Sequence, residues 1–237
     1  MSVRFSSLRD AQKSQLQQET FKKKALRRLA TGGVGVIGLM FLLLNLHTGF
    51  RETRSLTPTK GVYGTQQLMM KGGDPYIRAL MRTITASEAN DPQPYSIIYR
   101  GEHVSDLSDH PNRCVTIVAG PNKGNCSTAA GRYQMLNTTW DEKARRYHPE
   151  PPGMMFWKPY SFEPEFQDAV VHAWLSDPQA WGVDIPALLR QGKLNQVLRR
   201  LSGTWTSLGY GIESNSMTRK LPAIYQKTLQ EELRTAR

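Results

Sequence analysis

The sequence predicts a mainly helical α+β domain with a small antiparallel sheet, preceded by one transmembrane helix. An apolar, uncharged segment lies near the N-terminus, and several stretches beyond residue 74 repeat apolar residues at helical spacing. Two short runs are rich in β-branched and aromatic residues, as strands are. A hydrophobic content of 39% in 237 residues is sufficient for one folded domain.

The uncharged segment, residues 29–50, contains no Asp, Glu, Lys or Arg over 22 positions. At about 1.5 Å per residue, a helix of this length crosses a hydrocarbon core of about 30 Å. Basic residues crowd its N-terminal side, namely Lys22, Lys23, Lys24, Arg27 and Arg28. The positive-inside rule therefore places the N-terminus in the cytoplasm. A cleaved signal peptide is the alternative, although no small-residue cleavage site follows the apolar run.

Four parts are expected along the chain: a basic cytoplasmic tail at 1–28, the transmembrane helix at 29–50, a linker at 51–74 and a folded domain at 75–237. The net charge of +11 is concentrated before the domain, since residues 1–60 hold 11 Lys/Arg and 3 Asp/Glu. The remainder holds 20 basic and 17 acidic residues, so we expect no nucleic-acid partner. The lipid bilayer is the expected partner of the apolar segment.

The folded part opens with Asp74-Pro75, a pattern typical of a helix N-cap followed by proline at the first helical position. Apolar residues then follow at helical spacing, and the helix is expected to end near 90–92. Three further helix faces are indicated: Tyr133, Leu136, Trp140, Ala144 and Tyr147; Phe166, Ala169, Val170, Ala173 and Trp174, after Glu163-Pro164; and Leu194, Val197, Leu198, Leu201 and Trp205. The strand-like runs YSIIYR at 95–100 and VTIVAG at 115–120 predict a small sheet or hairpin.

Two cysteines, Cys114 and Cys126, lie in the part that is expected to face out of the cell. In that compartment they either form a disulfide or remain as two thiols. A pair without further Cys or His companions lacks the ligands that zinc requires. We expect no metal and no cofactor.

Glu88 is the first candidate for chemistry. At 100° per residue it falls inside the apolar arc formed by Ile77, Met81 and Ile84. Burial and the helix C-terminus would both raise the pKa of this carboxyl, and a general acid that acts near neutral pH needs such a shift. The alternative is a glutamate that extends from a frayed helix end into water.

Five separated segments, in the same order, resemble the lambda endolysin family of lytic transglycosylases in the lysozyme-like superfamily. They are SEAN at 87–90, YSIIYRGEHVSDLSDHP at 95–111, AAGRYQMLNTTWD at 129–141, FEPEFQDAV at 162–170 and WTSLGYGIE at 205–213. The resemblance covers nearly all of residues 75–228. It implies a lysozyme-like fold with a cleft for peptidoglycan glycan strands, in the periplasm or otherwise outside a bacterial inner membrane.

The resemblance also implies roles for individual residues. Glu88 acts as the single catalytic acid and then base, and cleavage leaves 1,6-anhydro ends on N-acetylmuramic acid. Tyr133, Gln134 and Tyr210 line the cleft, with core packing as the alternative. Tyr95 belongs to the same substrate-binding set. Arg132 contacts either the muramyl lactyl group or a structural carboxylate.

Two other functions stay open. A hydrolytic muramidase needs a second carboxylate, roughly 5 to 9.5 Å from the first. Asp91, Asp106 and Asp109 are near enough in sequence, although Asp109 in SDHP is also typical of a turn or cap. A catalytically silent wall-binding scaffold is the other possibility. The connection from Glu88 to Tyr95 is shorter than in the family, and partners in the envelope or in phage assembly are not indicated.

Overall fold

The structure, a computed structural model, describes residues 65–120, 122–150, 159–210 and 216–236. The predicted basic tail, the predicted transmembrane helix and most of the predicted linker lie outside these residues. Within them, no helix combines the length and the apolar character that crossing a membrane requires.

The described residues form a mainly helical α+β domain, as predicted. The α-helices are α1 Pro75–Glu88, α2 Asn137–Tyr147, α3 Pro164–Ser176, α4 Pro178–Trp181, α5 Ile185–Arg190, α6 Leu194–Leu201 and α7 Leu221–Thr235. Short 3-10 turns cover Tyr99–Gly101, Thr206–Leu208 and Thr218–Lys220. Strand β1, Val115–Thr116, pairs antiparallel with β2, Cys126–Ser127, with Val115 opposite Ser127.

Helix α1 begins as predicted. The Asp74 carboxylate accepts hydrogen bonds from the backbone N–H groups of Tyr76 and Ile77, at 2.9 and 3.2 Å, and proline follows the cap. The helix ends at Glu88, slightly before the predicted limit. Its apolar face is fully buried and packs mainly against α7. This helix pair forms the centre of the fold.

Two arginines of α1 form ion pairs with α7. The Arg82 guanidinium is 3% exposed, donates to Glu232 at 2.8 Å and also pairs with Glu231. Arg78 donates to the other oxygen of Glu232 at 2.6 Å. Because a buried charge without a partner is costly, these pairs fix how α1 and α7 face each other.

The prediction of a single helix face from Tyr133 to Tyr147 is wrong at its start. Helix α2 begins only at Asn137, and Leu136 is 44% exposed. Gly131 and Gln134 adopt positive φ angles of 71° and 45°, which interrupt any right-handed helix at these positions. At Gly131 a Cβ atom would also collide with the side chains of Gln167 and Phe162.

The two predicted strand-like runs do not pair with each other. The run at 95–100 forms only isolated bridges, from Ile97 to His103 and from Ile98 to Ala130. The chain then turns at Arg100, whose φ is 74°. Strand β1 comes from the second run. It pairs with β2, which follows it in the same hairpin.

Helices α3 and α6 form where the apolar periodicity predicted them. In α3, Val170 and Trp174 are buried, but so are the polar residues Gln167 and Asp168. Phe166 and the two alanines of the predicted face are only half-buried. The predicted face of α6 is buried along the helix, and Trp205, beyond the helix end, is 3% exposed.

Asp168 is the centre of a buried polar network. Its carboxylate accepts hydrogen bonds from the hydroxyls of Tyr133 and Tyr95, at 2.6 and 2.7 Å. The backbone N–H groups of Met69 and Met70 donate to it at 2.6 and 3.2 Å. Burial raises the pKa of Asp168, while the positive charge of Arg132 and these hydrogen bonds oppose the shift.

The last part of the predicted linker, residues 65–70, packs onto the domain. Arg132 donates to the carbonyl oxygens of Gln66 and Gln67, at 2.6 and 3.2 Å. Arg82 donates to the carbonyl of Thr65 at 2.9 Å, and Leu68 is buried. The folded domain therefore extends N-terminal to the predicted boundary at residue 75, because the buried arginines take backbone carbonyls as partners.

We expect Asp168→Asn to lower the free energy of unfolding by about 3 kcal/mol. The amide replaces one acceptor oxygen with a donor that faces other donors in a buried site. Urea denaturation of the purified protein measures this change. Asp109→Asn, at an exposed position, is the control and should unfold at the wild-type urea concentration. Equal midpoints for the two variants would refute the structural role of Asp168.

Candidate active site

A groove with a volume of about 840 Å³ contains the C-terminal end of α1. Five parts of the chain line it: the end of α1, the 3-10 turn at Tyr99, the hairpin that carries β1 and β2, the chain at 129–136 that leads into α2, and the chain at 204–206. The hairpin contributes small and polar side chains, among them Asn122, Asn125 and Ser127. Such a mixed polar and apolar surface suits a polar, ring-containing ligand.

Glu88 is the last residue of α1, is half-buried and lines the groove. The hydroxyl of Ser207 donates a hydrogen bond to its carboxylate. Among the groove-lining residues that the structure describes, Glu88 is the only one with a carboxyl group. A carboxyl group thus lies at the point where the helix ends and the groove opens.

The other carboxylates that the sequence offered do not line this groove. Asp91 accepts from the backbone N–H of Gln93 at 2.7 Å and lies 3.4 Å from His103. Asp106 and Asp109 line a separate pocket of about 400 Å³. None of these three carboxylates lines the groove that contains Glu88.

The hairpin is closed at its base by a disulfide. Cys114 and Cys126 are bonded, with their Cα atoms 5.3 Å apart. This structure decides between the disulfide and the two thiols that the sequence left open. Because Cys126 itself lines the groove, the crosslink fixes one lining segment of the site.

Gln134 lines the groove. Its side-chain amide donates to the carbonyl oxygens of Gly131 and Ile97, at 3.0 and 3.3 Å. These bonds hold the side chain against its own turn. A positive φ in a residue other than glycine is uncommon and is often found at functional sites.

Tyr210 lies beyond the 3-10 turn at 206–208 and is not among the lining residues. Its ring is 48% exposed, and its hydroxyl donates to Asn195 at 3.3 Å. The guanidinium of Arg199 lies 5.0 Å from the ring centre. Tyr210 also has a positive φ, of 66°. An exposed ring held in this way is available to a ligand outside the groove proper.

Tyr133 and Arg132 do not line the groove, which favours the alternatives that the sequence left open, core packing for Tyr133 and a structural role for Arg132. Tyr133 is 1% exposed, and Arg132 is fully buried. Arg132 donates to the hydroxyls of Thr85 and Tyr95, at 3.0 and 2.9 Å. Burial raises the pKa of Tyr133 well above its usual range. Hydrogen bonds offset the cost of burying these groups: Tyr133 donates to Asp168, and Arg132 donates to hydroxyl and backbone carbonyl oxygens.

Tyr95 joins the same network instead of the groove. Its hydroxyl donates to Asp168 and accepts from the backbone N–H of Met69, at 2.7 and 3.0 Å. The guanidinium of Arg132 also lies over its ring, 5.0 Å from the centre. Burial raises the pKa of the Tyr95 hydroxyl. Its role in the structure is to support the fold behind the site.

Several lining residues were not identified from the sequence. Thr204, Thr206 and Leu136 face the groove, and Ser207 contacts Glu88 across a separation of 119 residues. Ser207 lies inside the segment WTSLGYGIE that carried the resemblance, but serine alone gives no signal of such a contact. In the part of the chain that the structure describes, no cluster of His, Cys, Asp and Glu could hold a metal ion.

The chain is similar both to the endolysin family and to an individual endolysin. The endolysin family model matches residues 78–231. The endolysin of Escherichia phage lambda is 34% identical over 120 residues, which cover 49% of this chain and 64% of the phage protein. The chain thus spans just under two thirds of the length of that relative.

Two solved structures are also similar to this chain. Bacteriophage lambda lysozyme complexed with a chitohexasaccharide has a TM-score of 0.49 and 27% identity, covering 67% of this chain and 97% of that one. A second structure, lysozyme from bacteriophage lambda, has a TM-score of 0.47 and 26% identity, covering 69% and 97%.

In the residues that the structure describes, a mainly helical domain carries a groove in which one carboxyl group lies at a helix end. The family match covers well over half of the chain, and the chain therefore belongs to the endolysin family.

We expect the double variant Cys114→Ser, Cys126→Ser to be less stable by about 3 kcal/mol, because a crosslink over a loop of this length removes entropy from the unfolded chain. It should also bind ligands of the groove more weakly, since the hairpin is no longer held at its base. Thermal melting with and without reductant measures the first effect. A melting temperature that does not change on reduction would contradict this expectation.

Proposed function

We propose that the protein cleaves the glycan strands of peptidoglycan, at the bond between N-acetylmuramic acid and N-acetylglucosamine, as a lytic transglycosylase. Membership of the endolysin family supports the substrate class. The observation that carries the proposal is the position of Glu88, half-buried at the end of α1 and lining a groove. We assign Glu88 as the catalytic residue and Gln134 and Tyr210 as substrate-binding residues.

Glu88 supplies both proton transfers in this mechanism. In the first step its carboxyl donates a proton to the oxygen of the glycosidic bond, and the N-acetylglucosamine side leaves as an alcohol. The 6-hydroxyl of N-acetylmuramic acid then attacks the anomeric carbon of the same sugar. Glu88, now a carboxylate, removes the hydroxyl proton and returns to its starting form. The product carries a 1,6-anhydro ring.

This mechanism needs no second carboxylate, because the nucleophile belongs to the substrate. An internal hydroxyl that is already close to the reacting carbon supplies the proximity that an enzyme otherwise provides. The separation of Asp91, Asp106 and Asp109 from the groove is consistent with this assignment. We therefore favour the transglycosylase over the hydrolytic muramidase.

We further propose that the enzyme is anchored in the bacterial inner membrane by residues 29–50, with the N-terminus in the cytoplasm and the domain outside. The disulfide between Cys114 and Cys126 supports this location, since such bonds persist in oxidising compartments. An anchored enzyme cuts the wall locally, near the membrane.

The anchor is tested by fractionation of cells that express the full chain. We expect the wild type to stay with the inner membrane after a high-salt wash, and a variant that lacks residues 29–50 to be lost from it, because the apolar segment is removed. Protease added to spheroplasts should digest the domain but not the N-terminal tail. Recovery of the wild type in the soluble fraction would overturn the anchor.

The activity is tested with purified sacculi. We expect the full-length wild type to release muropeptides with 1,6-anhydro ends, seen by mass spectrometry, and Glu88→Gln to lower the rate at least about 100-fold, because the amide cannot supply the proton. Asp109→Asn is the matched control and should keep the wild-type rate.

Three other results of this assay would contradict the proposal. Reducing ends in place of anhydro ends indicate a hydrolytic muramidase. Binding to sacculi without any release, for wild type and Glu88→Gln alike, indicates a wall-binding scaffold. Full activity in Glu88→Gln removes Glu88 from the mechanism.

A further inference from the structure

Ser207 lies directly beside the carboxylate of Glu88. Its hydroxyl donates to one carboxylate oxygen, while the residue itself does not line the groove. Ser207 is only 8% exposed. Burial of the serine shields its side of this hydrogen bond from water. The contact joins α1 to the 3-10 turn at 206–208.

The turn that carries Ser207 is held on several sides. The indole N–H of Trp205 donates to the carbonyl oxygen of Tyr133 at 2.9 Å, and Leu208 is fully buried. The Thr218 hydroxyl lies 3.5 Å from the carbonyl oxygen of Ser207. Gly209 follows with a φ of 85°, where the Thr218 side chain occupies the space that a Cβ would need. The hydroxyl of Ser207 is thus fixed relative to the core.

A hydroxyl is suited to a carboxyl group that changes its protonation state. It donates to a carboxylate, and by rotating about its C–O bond it can accept from a protonated carboxyl. Glu88 passes through both states in the proposed mechanism. One side chain can therefore keep Glu88 in the same orientation before and after each proton transfer.

We propose that Ser207 is the positioning residue of Glu88: it holds the carboxyl in place in both protonation states. This inference rests on the proposed function. Ser207 does not line the groove, so it acts through Glu88. A hydrogen bond to the carboxylate also favours loss of the proton, so that Ser207 sets the pH above which the first step fails.

The test compares Ser207→Ala with Ser202→Ala in the full-length protein. Ser202 is an equally buried serine, 7% exposed, but its hydroxyl donates to the carbonyl oxygen of Arg199, within its own helix end. Rates of anhydromuropeptide release are measured over a range of pH and of glycan-strand concentration. Ser207→Thr, which keeps a hydroxyl, is the conservative variant, and melting temperatures report whether each variant is folded.

We expect Ser207→Ala to lower kcat about tenfold with little change in KM, because the carboxyl loses its fixed orientation. The upper limb of the pH profile should move to higher pH by about one unit, since the ionised form loses a hydrogen-bond donor. Ser207→Thr should restore the wild-type pH profile, and Ser202→Ala should not differ from wild type.

The outcomes separate the two proposals. If the wild type releases no muropeptides, the proposed function fails. If the wild type is active but Ser207→Ala keeps the rate and pH profile of Ser202→Ala, the positioning role of Ser207 is overturned. A lower melting temperature with an unchanged pH profile also overturns it, because a purely structural role would not move the titration of Glu88.

Discussion

The burial of two opposite charges, Asp168 and Arg132, is the constraint on which the rest of the structure depends. Neither group can leave water without a full set of partners. The partners come from distant parts of the chain: two tyrosine hydroxyls, a threonine of α1 and the backbone of residues 65–70. The network therefore fixes the position of α3, the turn at 131–134 and the N-terminal segment at once.

This network also explains why neighbouring residues of one motif have different roles. Arg132 and Tyr133 lie in the core, whereas Gln134, the next residue, lines the groove. The positive φ of Gln134 turns the chain immediately after the two buried residues. Shared motifs in a family thus combine residues that build the site with residues that face the ligand, and the motif alone does not separate them.

The parts of the chain at the groove are held in place by packing, by hydrogen bonds and by a disulfide. Glu88 is placed by the end of α1, Ser207 by a turn held against the core, and the hairpin by its disulfide. Chemistry that transfers a proton twice needs a carboxyl whose position does not change between steps. This arrangement supports the function that we propose for this member of the endolysin family.

The sequence by itself determined the start of α1, the helices α3 and α6, and the candidate Glu88, because caps and apolar periodicity act over a few neighbouring residues. Only the tertiary structure decided the start of α2, the pairing of β1, and the burial of Arg132 and Tyr133. It also decided the contact of Ser207 with Glu88. The burial of Arg132 and Tyr133 and the contact of Ser207 with Glu88 depend on residues far apart in the chain, and local pattern carries no information about which distant groups will meet in a buried core.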